Sequence, residues 1–146
     1  MWKYNKKWIK SLRDIPKDKE YDHFIYKITN KVNGKFYIGK KILYNKQRVK
    51  LSKKKKKELN TRKIFEINVR ESDWLNYYGS SKDLLYDISV LGTDKFDKEI
   101  IKFVKGKKAA TAWEIYYIIK TDSLLIENSY NGNLLGRIYK KDFLDG

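Results

Sequence analysis

Two hydrophobic periods run along this chain, and together they assign most of its elements. Phe24, Tyr26 and Ile28 alternate with Ile25, Lys27 and Thr29, and a second β-rich run follows at Phe36-Tyr37-Ile38-Gly39. Between the two lies Lys31-Val32-Asn33-Gly34-Lys35. Alternation of this kind marks strands, and Asn-Gly between them marks a tight hairpin because both turn positions take positive φ. Strands are therefore predicted at about 23–30 and 35–42. Ile64 to Arg70 alternates less cleanly and is a candidate strand, and residues 96–104 read as a third strand of the sheet.

The helical period appears in three places. Residues 3–13 put Trp8, Ile9 and Leu12 on one helical face, beside Lys6, Lys7 and Lys10, and Pro16, the only proline, closes the stretch. Ser80 or Ser81 offers an N-cap to a helix with a buried stripe of Leu84, Leu85, Ile88 and Leu91, which Gly92 ends. Residues 108–120 read as a further helix with Ala109, Ala112, Trp113, Tyr116 and Tyr117 as apolar content, and 128–133 is turn-rich. The order helix, hairpin, insertion, helix, strand, helix, tail predicts an α+β fold. Its sheet is a small antiparallel one of three strands, the hairpin plus a later strand, flanked by helices. Residues 1–22 form a basic amphipathic helix and linker in this reading. Residues 23–146 form the domain, with a Lys-rich insertion at about 43–70.

Charge sharpens the picture. The net charge is +16, and residues 1–72 carry all of it, with 23 basic and 7 acidic groups against 11 of each in the remainder. So one-sided a field attracts polyanions, nucleic acid first among them. Lys53, Lys54, Lys55, Lys56 and Lys57 are consecutive, read either as a solvated, mobile loop or helix face, or as a phosphate-tracking insertion. No cysteine is present and His23 is the only histidine, which excludes thiol catalysis, Cys-based zinc sites and His-pair metal sites. No apolar run reaches the ~18 residues of a membrane span and no secretion signal is evident, so no membrane partner and an intracellular, cytoplasmic location are expected.

The tripeptides Phe24-Ile25-Tyr26 and Tyr37-Ile38-Gly39, with tyrosines eleven positions apart, resemble the GIY-YIG nuclease signature. Tyr77-Tyr78-Gly79-Ser80-Ser81 before a helix, Phe96 to Ile101, Glu114 on the next helix and Tyr130-Asn131 extend the likeness to phage homing-type endonucleases of that family over about 23–133. The resemblance implies a metal-dependent endonuclease that hydrolyses phosphodiester bonds in DNA, acting in a host cell if phage-encoded. It implies Tyr26 as the group that activates or orients water, Tyr37 as its hydrogen-bonding assistant, Glu114 as the ligand of Mg²⁺ or Mn²⁺, and Asn131 in the site. A homodimer is one way such an enzyme would cut both strands. Two departures stand out: Phe24 replaces the first glycine, and the Lys-rich insertion lies where the family places an arginine-bearing helix. Arg48, Arg62 and Arg70 are the catalytic-arginine candidates, and Lys40 or Lys41 the substitutes.

The chemistry fits those residue types. A lone carboxylate suits Mg²⁺, which keeps most of its waters. A free phenol ionises near pH 10, and nearby lysines and a metal would lower that value for Tyr26. Gly39 would let the backbone approach a phosphate, with Lys40, Lys41 and the five lysines Lys53 to Lys57 adding charge. The alternative is a catalytically inactive nucleic-acid-binding or inhibitory protein on the same fold.

Overall fold

In the computed structural model, which describes residues 1–144, the hairpin turns where the pattern places it, but through a four-residue loop, Lys31 to Gly34, closed by Gly34 N–H to the Asn30 carbonyl. Only Gly34, at φ +76°, is left-handed, so the tight turn with both Asn33 and Gly34 at positive φ does not form. Written as β1 to β9 and α1 to α4, the elements run β1 Trp2–Tyr4, β2 Lys7–Ile9, β3 His23–Asn30, β4 Phe36–Ile42, β5 Tyr44–Lys50, α1 Lys53–Glu58, β6 Phe65–Glu71 and α2 Lys82–Leu91. Then follow β7 Phe96–Val104, α3 Lys107–Lys120, β8 Asn133–Leu134, β9 Ile138–Tyr139 and α4 Lys140–Leu144. The central sheet has the order β2-β1-β7-β3-β4. It therefore has five strands where the pattern predicted three, and it is mixed, because β1 joins β7 in parallel while the other pairs are antiparallel.

The two extra strands come from the segment predicted as a helix. Asn5 and Lys6 take φ of 48° and 65°, left-handed at both turn positions, and fold residues 2–9 into a hairpin. Alternation then sends Trp2 and Ile9 inward and leaves Trp8 exposed. Burial decides the outcome: Trp2 is fully buried and donates Nε1–H to the Trp74 carbonyl at 2.7 Å. A helix would have set Trp8 beside Ile9 and given Trp2 no such seat.

β3 is buried along nearly its whole length because the sheet is covered on both faces. Phe24, Tyr26 and Ile28 face a cluster holding Trp2, Trp74, Leu84 and Phe103. Ile25 and Ile38 face another, with Ala110 and Ile118 of α3. The predicted stripe on α2 is narrower than expected: Leu84 is buried with Ile88 packed against the same core one turn on, while Leu85 is exposed to the side of that face and Leu91 is exposed at the last residue of the helix. Ser81 is its N-cap and Gly92, at φ +91°, its C-cap. On α3 the buried residues are Ala110 and Ile118, whereas Ala112 and Tyr116 are exposed.

The Lys-rich insertion is an ordered arm. β5 and β6 pair from Tyr44↔Glu71 to Lys50↔Phe65, and α1 closes the far end, with Ser52 as N-cap accepting from the Lys55 N–H. Its root is pinned by Leu43 N–H to the Asp22 carbonyl at 2.8 Å and Ser72 N–H to the Leu43 carbonyl at 2.9 Å.

Candidate active site

The hairpin register sets Tyr26 directly opposite Gly39. A Cβ on Gly39 would overlap the Tyr26 hydroxyl and lie 2.6 Å from the ring carbon that bears it, so the tyrosine occupies the space that a side chain would take. Gly79, at φ +86°, closes the other side: a Cβ there would lie 3.1 Å from Cε1 of Tyr37 and 3.3 Å from the Tyr26 hydroxyl. Two glycines forty residues apart in the chain thus flank the same pair of phenols. The Tyr26 and Tyr37 rings are 6.1 Å apart, and Tyr77 meets Tyr26 edge-on at 6.0 Å. The Tyr37 hydroxyl is 3.3 Å from Ser80 Oγ.

β4 is an edge strand, so every second residue turns its backbone N–H and C=O outward. These groups are satisfied in sequence. The Phe36 carbonyl accepts from Tyr130 N–H at 2.7 Å. Ile38 gives its N–H to Asn131 Oδ1 and receives Asn131 Nδ2–H on its carbonyl, both at 2.9 Å. At Lys40 the outward backbone N–H faces the Glu114 carboxylate, which it and the Lys40 charge pull toward the ionised form. Glu114 of α3 is thereby brought to the sheet edge beside the tyrosine pair, and Lys40 Nζ is held near it by Thr111 Oγ1 at 2.6 Å.

Electrostatics at this site run against a phenolate base. Burial pushes Tyr26 well above its ordinary value, with Tyr37, Tyr77 and Glu114 adding to the rise. Burial raises Tyr37 as well, opposed by the Ser80 hydrogen bond and reinforced by Glu114. The lysine effect expected from sequence is not found: burial dominates at a residue 1% exposed, and the charged and phenolic groups that act on Tyr26 all raise it. Burial also raises Glu114, against the pull of the Lys40 charge and N–H. A half-buried carboxylate with a raised pKa is under-compensated by the protein, and a hard divalent cation would supply the missing charge. Among the described residues no three His, Cys, Asp or Glu side chains converge, so such a cation would take Glu114 and otherwise water or substrate oxygens.

The three candidate arginines lie on the arm. The Arg48 guanidinium stacks over Phe65 at 4.3 Å, Arg62 follows α1 near Lys53 and Lys57, and Arg70 pairs with Asn45 near the root. Among the described residues none of them is hydrogen-bonded or ion-paired to Tyr26, Tyr37 or Glu114. Lys41 Nζ lies 4.0 Å from the Tyr77 ring and pairs with Asp73.

The lysine run is a helix rather than a loop, and it stands away from the tyrosines. Its five members are not equivalent, as the sequence had them. Lys53, Lys54 and Lys57 are exposed. Lys55 is exposed but tied to Glu66 at 2.6 Å. Lys56 is half-buried, because the helical turn rotates its stem toward the arm instead of outward, so it is the member least available to a phosphate. Sequence reasoning undervalued Tyr77, Gly79 and Thr111. The signal was present for the first two in Tyr77-Tyr78-Gly79-Ser80, but nothing local to Thr111 marks it as the partner of Lys40.

A family model described as "Putative endonuclease segE, GIY-YIG domain" matches residues 2–134. No curated protein and no solved structure matches the chain. Among the described residues no helix is long and apolar enough to cross a membrane.

Proposed function

This chain belongs to the segE-type GIY-YIG domain family, and on that premise we propose that it is a metal-dependent endonuclease cutting DNA at the Tyr26–Tyr37–Glu114 site. The observation that carries the reading is the convergence of groups remote in sequence. Gly39 and Gly79 make room for two phenols, and Glu114 reaches the same sheet edge. Both phenols are neutral at pH 7, so they act as hydrogen-bond donors and orienters of water and phosphate rather than as phenolates. Lys40, next to Glu114, supplies the positive charge that the family takes from arginine. Asn131 has both ends of its amide on Ile38 and is a positioning residue, holding β4 between Tyr37 and Gly39. Glu114 would hold Mg²⁺ or Mn²⁺. Bound there, the ion offsets phosphate charge and eases departure of the leaving oxygen.

The test is conversion of supercoiled plasmid to open-circular or linear form, with DNA binding measured in parallel. The purified chain cuts only with Mg²⁺ or Mn²⁺. Glu114→Gln, which keeps the size of the side chain and removes its charge, loses cutting by about 10²-fold or more, as expected for a group acting on developing charge. Tyr26→Phe keeps the ring and is also impaired. Cutting that survives Glu114→Gln would remove the site assignment. A non-cutting DNA-binding protein is the second reading, and it draws on the absence of an arginine at the tyrosine pair. Tight binding by the parent with no cutting under any divalent metal would establish it.

A further inference from the structure

The β5–β6 ribbon wears its polarity inside out. On β6, Phe65, Ile67 and Val69 are 42%, 65% and 56% exposed, while Glu66 and Asn68 between them are half-buried. An antiparallel pair with one wet face ordinarily shows the opposite alternation. The register places Lys50, Arg48 and Lys46 directly across from Phe65, Ile67 and Val69. One outward face therefore carries a row of cations beside a row of apolar side chains. Carboxylates are kept away from it along its length. Glu66 is on the reverse face, held by Lys55 at 2.6 Å, and the one carboxylate in phase with the face, Glu71, sits at the root, where it accepts from Trp74 Nε1.

We propose that this face reads a groove of duplex DNA, with Phe65, Ile67 and Val69 against base edges and Lys46, Arg48 and Lys50 on the flanking phosphates and bases. The proposal rests on the DNA-nuclease reading and names how that site finds its substrate. The major groove admits a two-stranded ribbon, and thymine offers a methyl group there to apolar side chains. Seven residues per strand span about 23 Å, enough to lie along the groove. The charge fits too: residues 44–71 hold eleven basic and three acidic side chains, net +8, half of the whole chain's excess. A second copy of this chain is the poorer occupant, since two such ribbons face to face would bring like charges together. Duplex RNA is poorer still, because its major groove is too narrow and deep for side chains to read.

Two triple variants test this on a short fluorescein-labelled DNA duplex, in EDTA so that cutting does not intervene. Lys46→Gln/Arg48→Gln/Lys50→Gln should bind at least ~10-fold more weakly and show a salt slope shallower by about 0.9 per phosphate released. Phe65→Ser/Ile67→Ser/Val69→Ser should bind about 10-fold more weakly with the slope unchanged, since counterion release is untouched. Replacing thymine by uracil in the duplex should weaken the parent but not the serine variant. Asn68→Ala, on the reverse face, should bind as the parent does. The altered side chains are exposed, and a urea transition confirms that each variant folds; the single Ile67→Ser variant reads the same effect if the triple does not. Parent-like DNA affinity in both triple variants would overturn the proposal. So would equal affinity for duplex RNA, or a dimer of the parent that the serine variant loses while still binding DNA. A parent that binds through this face yet never cuts would uphold the ribbon and remove the nuclease reading. A cutting parent with unimpaired triple variants would do the reverse.

Discussion

At Gly39 the requirement is for room rather than for an unusual backbone. A methyl group there must displace the Tyr26 phenol, whose ring is buried and packed against Tyr37 and Tyr77. Gly39→Ala is therefore expected to destabilise the domain by about 1–3 kcal/mol, as overpacked sites do. It should reduce cutting further, by about 10²-fold, through misplacement of the tyrosine pair. Urea denaturation and plasmid nicking read the two effects separately, and a variant that cuts normally would mean that the phenols have no fixed place in the reaction. Asn131 illustrates a related economy. Its amide substitutes for a neighbouring strand at one residue of an edge, which is why a turn-like Tyr-Asn pair sits deep in the structure.

At the level of elements, the arm is where binding strength should reside. Lys55 is tied to Glu66 and Lys56 is half-buried, while Lys53, Lys54 and Lys57 are exposed at the far end of the arm. Replacing Lys53 to Lys57 by Gln should lower DNA affinity and flatten its salt dependence by about 0.9 for each phosphate no longer neutralised, with little change in cutting at saturating protein. The three exposed lysines should account for most of that change, and Lys56→Gln alone for little of it. An unchanged slope would make α1 a solvated cap with no part in binding. This arm was also the element least legible in sequence. β5 reads Tyr-Asn-Lys-Gln-Arg-Val-Lys, with few strand formers, and β6 puts its apolar residues on the wet side, so the usual link between hydrophobic period and buried face is broken. The central hairpin was legible because alternation on both strands and Gly34, the one left-handed position of the loop, agree, although the turn is longer than Asn33-Gly34 implied. Residues 2–9 were not, since the spacing of Trp8, Ile9 and Leu12 imitates a helix and Asn5-Lys6 is a weak turn signal. Among candidate site residues, Tyr26, Tyr37 and Glu114 were named through the resemblance, and their proximity was visible only in the fold. The Lys40–Thr111 link needed tertiary structure, because it joins a strand edge to a helix seventy-one residues later.

Over the whole molecule, Lys98 adds to the β1–β7 pairing and the Trp2–Trp74 hydrogen bond that hold the N-terminal hairpin to the rest. Its ammonium lies 4.1 Å from the Trp2 ring and 4.2 Å from the Tyr78 ring, and donates to the Leu75 carbonyl at 3.0 Å. Burial brings its pKa down to about 7, from 10.5 in the unfolded chain. Between those values the unfolded chain holds the extra proton, so this residue makes stability rise with pH from about 7 upward. Urea midpoints at pH 7 and pH 9 should rise more for the parent than for Lys98→Met, which keeps length and packing without a titrating group. Equal rises would show that Lys98 keeps its proton in the fold, held by the two ring faces. The way the arm is rooted has a different consequence. The chain leaves the sheet at Leu43 and returns at Ser72, and those two residues are hydrogen-bonded neighbours. Everything between them begins and ends at one point. The arm meets the body at its base, Tyr44 against the core and Glu71 on Trp74, so the ribbon beyond that base is a tool on a fixed handle, open to exchange for another ribbon of different surface. If the arm reads DNA as proposed, a change of target calls for new side chains on it and none beside Tyr26, Tyr37 and Glu114.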